Sequence, residues 1–210
     1  MKNTTEAADK VCKAIILDTE TTGIKSPVEP IEIAFLQLPA LHALQDDLIA
    51  LIQTMPAYQQ RYKPTKQIEP TALSIHGIKM ADLLHSPAYS AAALEAEIPS
   101  TTEYIIGHNI SYDMRALRTA SGGSTDSSFP YIPICTLKLA KQLWPDLASR
   151  SLTNLIQEFF PVVGPALRAK AHGALADCYL TACILSAAIE EYQPESWEDL
   201  AIIADPKLKR

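Results

Sequence analysis

The chain has 210 residues, 48% of them hydrophobic, and its eighteen basic and twenty-four acidic residues leave a net charge of −6. That length supports one sizeable core without a split into two domains, and no apolar run reaches the roughly 20 residues of a membrane helix, which argues against a helical membrane span. The acidic balance also argues against an ordinary nucleic-acid binder, whose contact face is usually basic.

Residues 1–13 are polar and contain acids, unlike a signal peptide, and predict a disordered extension of a cytoplasmic protein. Ala14 to Leu17 reads as a buried strand, and Asp18-Thr19-Glu20-Thr21-Thr22-Gly23 follows it directly. Side chains two apart on a strand share a face, so Asp18 and Glu20 project together. Two adjacent carboxylates repel; they call for a divalent cation with hard oxygen ligands, a basic side chain, or a polar turn in which both are solvated. A second strand is predicted from Ile31 to Leu38. Between Pro39 and Pro56, Leu41, Leu44, Leu48 and Leu51 or Ile52 recur at helical spacing. Such a helix either covers the sheet edge or meets a partner, the homodimer being that second case.

A third strand is predicted at about Tyr58 to Tyr62, with helices around Ala72 and from Ser90 to Glu97. The strand Tyr104 to Gly107 leads into His108-Asn109-Ile110-Ser111-Tyr112-Asp113 and a helix from Ser111 to Ala120. A strand at Tyr131 to Cys135 precedes helices at Thr136 to Trp144 and Ser151 to Phe160. The last predicted helix runs from His172 to Tyr192, leaving 193–210 as a C-terminal tail and 14–192 as the domain. Early strands followed by strand–helix alternation indicate an α/β domain with a mixed sheet.

Asp113 and Asp177 both fall near helix N-termini, where the backbone field favours negative charge. N-capping explains each singly; with Asp18 and Glu20 they form a set of four acids. Five residues turn an α-helix by roughly 140° beyond a full circle, so His172 and Asp177 cannot share a helical face and His172 belongs to the entry loop. Gly173 after it frees the backbone. A loop histidine beside carboxylates can take a proton from an attacking water, since an imidazole titrates at about 6.5. His42 and His85 read as ordinary surface or core histidines. Cys12, Cys135, Cys178 and Cys183 show no CxxC spacing, which predicts free thiols and no zinc site.

The motifs DTETTG, HNxxYD and HxxxxD, in this order, resemble the DnaQ-like 3′–5′ exonucleases, in the branch defined by four acids and a histidine. The similarity covers roughly Ala14 to Tyr192, and the stretches from Ile134 to Pro145, from Asp177 to Ala182 and from Thr71 to Ile78 sharpen it toward DNA-degrading members. It implies a ribonuclease H-like fold with a five-stranded mixed sheet flanked by helices, three strands antiparallel and two more pairing in parallel. It also implies two metal ions, Mg²⁺ with Mn²⁺ able to substitute. Asp18, Glu20 and Asp177 would hold one, Asp18 would bridge to the other, and Asp113 would reach the second through water. His172 would be the general base, with Glu20 beside it at the reacting centre. Thr21, Thr22 and Gly23 would meet the terminal 3′-hydroxyl, Ile24 and His76 would pack on the last base, and Asn109 would make a polar contact. Two cations would offset four of the six excess negative charges. Arg115, Arg118, Lys138, Lys141, Arg150, Arg168 and Lys170 could meet phosphates or could simply be a solvated face. The implied partner is a single-stranded or frayed 3′ end of DNA. An RNA end, a polymerase that the domain proofreads, and strand-end binding without cleavage are the alternatives.

Overall fold

A computed structural model describes residues 12–25, 27–45, 51, 54–120, 129–162 and 172–209. Five strands form one mixed sheet: β1 (Ala14–Thr21), β2 (Pro30–Gln37), β3 (Ala57–Arg61), β4 (Tyr104–Gly107) and β5 (Ile132–Cys135), in the order β3-β2-β1-β4-β5. The pairs β1–β2 and β2–β3 are antiparallel, whereas β1–β4 and β4–β5 are parallel. This is the α/β topology that the motifs imply. Among the described residues seven α-helices surround it: α1 (Pro70–His76), α2 (Ala91–Glu97), α3 (Ser111–Ala120), α4 (Thr136–Leu143), α5 (Leu152–Phe159), α6 (Ala174–Tyr192) and α7 (Trp197–Ala204). None of the described helices is long and apolar enough to cross a membrane.

Alternation along β1 divides the core into two layers. Ala14 and Ile16 pack with Ala174, Cys178 and Ala182 of α6, while Ile15 and Leu17 pack with Met114 and Leu117 of α3. Period-two alternation then carries Asp18 and Glu20 onto the α6 face and Thr19 onto the α3 face. Parallel strands need crossover connections, and here α3 leaves the C-terminal end of β4 while α6 returns over the opposite face. The acids therefore collect where β1 and β4 end.

Most element ends shift from the sequence reading by one or two residues, and three differences change what belongs to the fold. β1 continues through Thr21 instead of stopping at Leu17, because Asp18 to Glu20 stay in register with Ala34 to Glu32 of β2. Cys12 and Lys13 are tied to the fold rather than frayed: the Cys12 carbonyl accepts from Thr101 Oγ1 and the Lys13 carbonyl from the amides of Glu103 and Tyr104. Residues 193–209, within the stretch read as a tail, carry α7, whose Trp197, Leu200, Ala201 and Ala204 are buried in the main core. A Ser196–Asp199 capping box starts that helix. The rest of the expected extension, 1–11, lies outside the described residues.

Among the described residues the leucine-rich stretch shows a 3₁₀ turn, Leu41–Gln45, and a helical Leu51; Leu48 and Ile52 lie outside them. Leu44 is fully buried, Leu41 and Leu51 pack against the same core, and Ser186 Oγ donates to the Leu44 carbonyl at 2.8 Å. The described leucines thus cover the sheet and α6 rather than facing a partner. All four cysteines are free, three of them buried.

Candidate metal centre

Asp18, Glu20 and Asp177 each offer a carboxylate oxygen within 4.8 Å of the others. The first two come from the α6 face of β1 and the third from the first turn of α6. Ligands at about 2.0–2.6 Å from a common divalent cation lie about 4–5 Å apart when opposite, so the set fits such an ion. The charged neighbours acting on Asp18 are Asp113, Asp177, Glu20 and Glu32, all acids. Burial and these acids hold the Asp18 carboxyl well above the usual carboxylate range, and burial followed by Asp177, Glu32 and Asp113 pushes Glu20 up to about 8. Of the partners that sequence leaves open for this acid pair, a basic side chain is not the one found among the described residues, and neither carboxylate is solvated enough to be a turn acid. Buried like charges without a counter-charge are costly, which a bound cation would relieve.

Asp113 approaches from the other face of the sheet. Its Oδ1 accepts from the Thr19 amide at 3.0 Å and from Thr19 Oγ1 at 2.8 Å. Burial dominates and pushes Asp113 up to about 7, although the Thr19 hydrogen bonds oppose it. Asp113 is thus adjacent to Asp18 but outside the group of three, and it is a first-turn acid of α3 rather than an N-cap. Asp177, the fourth residue of α6, is not a cap either, because Gly173 occupies that position. Asp177 is raised by burial, against the pull of the His172 amide and the His172 side chain.

His172 lies in the entry to α6, as its spacing requires. It is exposed, and its amide donates to Asp177 Oδ1 at 3.2 Å. The left-handed residue here is His172, with φ 70°, and not Gly173, whose φ is −132°. A non-glycine residue in that region must be held by its surroundings. The imidazole is not one of the three clustered ligands.

The turn after β1 is tightly tied. Tyr112 Oη donates to the Gly23 carbonyl at 2.6 Å and lies 2.5 Å from Thr21 Oγ1. Thr22 pairs with Glu29 through both its amide and its hydroxyl, and its carbonyl accepts from the Glu69 amide at 2.7 Å. Ile24 is half exposed at the rim. His76 ends α1; its Nδ1 accepts from the Ile78 amide at 3.0 Å, so the ring braces the turn that leaves the helix. Burial lowers its pKa, and the neighbouring Thr21 carbonyl opposes this. Asn109, at φ 74°, is exposed, and its Oδ1 accepts from Ser111 Oγ.

The basic residues divide. Lys138 pairs with Asp205 at 3.1 Å, and Arg150 donates to the carbonyls of Trp144 and Pro145, so both are already engaged in the fold. Arg115, which stacks over Tyr112, and Arg118 and Lys141 are exposed, while Arg168 and Lys170 lie outside the described residues. Sequence reasoning passed over Glu32, a buried carboxylate whose only signal was one acid inside the apolar run from Ile31 to Phe35.

Acids from β1 and from the first turns of α3 and α6 meet on this mixed sheet, a donor set fit for a divalent-metal-dependent hydrolase. The exonuclease family model RNase_T matches residues 15–185, and the chain belongs to that family. It is 28% identical to Exodeoxyribonuclease 10 of Escherichia coli K12 over 172 residues, 81% of this chain and 66% of the relative. The chain thus spans just under two thirds of that relative's length. Among solved structures, Exonuclease X in complex with 5′ overhanging duplex DNA superposes with a TM-score of 0.65 at 26% identity, covering 91% of this chain and 99% of that one. E. coli Exonuclease I in complex with a dT13 oligonucleotide shares the fold, with a TM-score of 0.62 at 19% identity over 86% of this chain and 41% of its own.

Proposed function

We propose that this chain is a 3′–5′ exodeoxyribonuclease that releases nucleoside 5′-monophosphates in a divalent-metal-dependent hydrolysis. The observation that carries the reading is the convergence of Asp18, Glu20 and Asp177, with acids as the charged neighbours of Asp18 and Glu20 among the described residues. DNA is favoured as substrate because Exodeoxyribonuclease 10 is the relative and Exonuclease X is bound to DNA in its solved structure. A cytoplasmic setting suits the four free thiols.

Asp18, Glu20 and Asp177 would hold Mg²⁺, or Mn²⁺ in its place, because all three are hard oxygen donors; Asp113 would add its charge from the α3 side. When bound, the two ions of such a site stabilise the entering and leaving oxygens of an in-line displacement at phosphorus. His172 takes a proton from the attacking water as the new P–O bond forms and the bond to the 3′-oxygen breaks. That oxygen gains a proton and becomes the next terminal hydroxyl. The turn Thr21–Gly23, fixed by Tyr112, presents backbone groups to the terminal 3′-hydroxyl. Ile24 offers an apolar surface to the last base, His76 braces the turn behind it, and Asn109 supplies a polar contact beside it.

A 5′-labelled single-stranded DNA, a duplex with a 5′ overhang and a short RNA, each incubated in Mg²⁺ and in EDTA, test this reading. The DNA should shorten one nucleotide at a time in Mg²⁺ only. Internal cleavage, full activity in EDTA or a clear preference for RNA would overturn it.

A further inference from the structure

Glu32 lies in the middle of β2, 1% exposed, and has no part in the chemistry just described. A carboxylate buried next to other acids is costly, and an apolar residue of the same size would suit the core better. Both its oxygens are used. Oε1 receives Arg61 Nε at 2.8 Å, and Oε2 receives the Ala174 amide at 3.1 Å. Glu20, Glu32 and Arg61 are cross-strand partners, forming one row over β1, β2 and β3. Ala174 opens α6, where amides lack acceptors within the helix and the backbone field is positive.

That amide sits two residues after His172 and three before Asp177. His172 is held at φ 70° with its own amide on Asp177, so the helix start is fixed from inside by Asp177 and from the sheet by Glu32. We propose that Glu32, oriented by Arg61, is a positioning residue for the hydrolysis, setting His172 and Asp177 against Asp18 and Glu20 through the Ala174 amide. This rests on His172 acting as the base.

The test uses the full chain with Glu32→Ala, Glu32→Gln and Arg61→Ala, each alone and combined with His172→Ala. Single-turnover cleavage of a 5′-labelled oligodeoxynucleotide in Mg²⁺, affinity for it in Ca²⁺, and melting temperature are measured. Misplacing a base by a fraction of its reach should slow cleavage about 10–100-fold with affinity held within about threefold. Glu32→Gln should recover part of the rate, because its amide oxygen can still accept from Ala174, and Arg61→Ala should cost less than Glu32→Ala. In the His172→Ala background the Glu32→Ala loss should shrink to about threefold or less, the non-additivity of residues acting as one unit. Multiplying losses in a folded double variant, or full rate in Glu32→Ala, would overturn the inference while leaving the base in place. Full rate in His172→Ala would overturn the base and the inference with it. If Glu32→Ala fails to fold, Glu32→Gln and Arg61→Ala carry the same comparison, and undiminished rates in both would overturn the inference.

Discussion

Asp113 stands in for a strand at Thr19. β4 pairs with β1 only as far as Ile16 and then turns away after Gly107, so the Thr19 amide on that side has no ladder acceptor; the Asp113 carboxylate takes it, together with the Thr19 hydroxyl. The contact joins α3 to the strand position between Asp18 and Glu20.

At pH 8, where Asp113 is mostly ionised, Thr19→Val should remove one buried hydrogen bond to a charged acceptor, lowering stability by about 1.5–3 kcal/mol, and should raise Asp113 further. Asp113→Asn keeps an acceptor for both Thr19 donors and removes one of the crowded charges. Its metal-free melting temperature should equal or exceed that of the parent, while cleavage falls. A sharply lower melting temperature for Asp113→Asn in EDTA would mean that the charge itself holds the fold.

Glu20 and Asp113 give the metal-free protein a defined pH dependence. They titrate at about 8 and about 7 in the fold, against about 4 in an unfolded chain. The fold binds their protons more tightly, so this contribution to stability is complete below about pH 4 and is lost as pH rises through about 7–8. Denaturant midpoints in EDTA should fall from pH 6 to pH 9. Mg²⁺ requires ionised ligands, so at saturating Mg²⁺ the decline should flatten, and binding at pH 7 should release protons. Calorimetry in two buffers of different ionisation enthalpy reads that release; identical heats would count against ligation by these carboxylates.

Gly107 ends β4 against the β1 backbone with no room for a side chain. A Cβ there would lie 2.9 Å from the Leu17 carbonyl oxygen and 2.7 Å from Ile110 Cδ1. The side chain could move, but the strand carbonyl could not without shifting β1. Gly107→Ala should therefore cost about 1–3 kcal/mol, as overpacking does, and should reduce cleavage beyond what the stability loss explains. Gly77→Ala, at φ 70° with open space around it, should cost stability only, which makes it the control.

The sequence was most legible where hydrophobic period and punctuation agreed. Tyr104–Gly107 and Ser111–Ala120 have the bounds read from sequence, because an apolar run ends at a glycine and an amphipathic helix follows. Asp18 and Glu20 were legible as a pair because strand alternation needs no tertiary information. The extent of β1 was not, because threonines and carboxylates read as a turn until β2 is seen to pair with them. Helix α7 was missed because it is short and follows a Gln-Pro break, although Ser196 and Asp199 carried its capping signal. Arg150 and Lys138 look like free cations in sequence; only the fold brings the Trp144 carbonyl and Asp205 to them. Glu32 is legible only as an oddity, since its meaning comes from Ala174, 142 residues away.

His108 sets the opposite limit on the pH scale. Its Nδ1 lies 3.0 Å from Thr136 Oγ1 and its Nε2 3.0 Å from the Arg150 carbonyl, linking the end of β4 to the start of α4 and to the loop before α5. Burial lowers its pKa to about 4, with the Arg150 carbonyl opposing. An unfolded chain protonates this residue near 6.5, so the fold loses stability as pH falls below about 6.5, and the loss levels off below about 4 at a magnitude on the order of 3 kcal/mol. Between about pH 4.5 and 6.5 this slope opposes those of Glu20 and Asp113, so the metal-free parent follows their difference and only comparison with a variant isolates His108. His108→Gln retains hydrogen-bonding capacity without a titrating proton. Its denaturation midpoints should be lower than the parent's at pH 7, and this deficit should shrink between pH 6.5 and 4.5. A deficit that stays constant from pH 6.5 to 4.5 would remove His108 from the account.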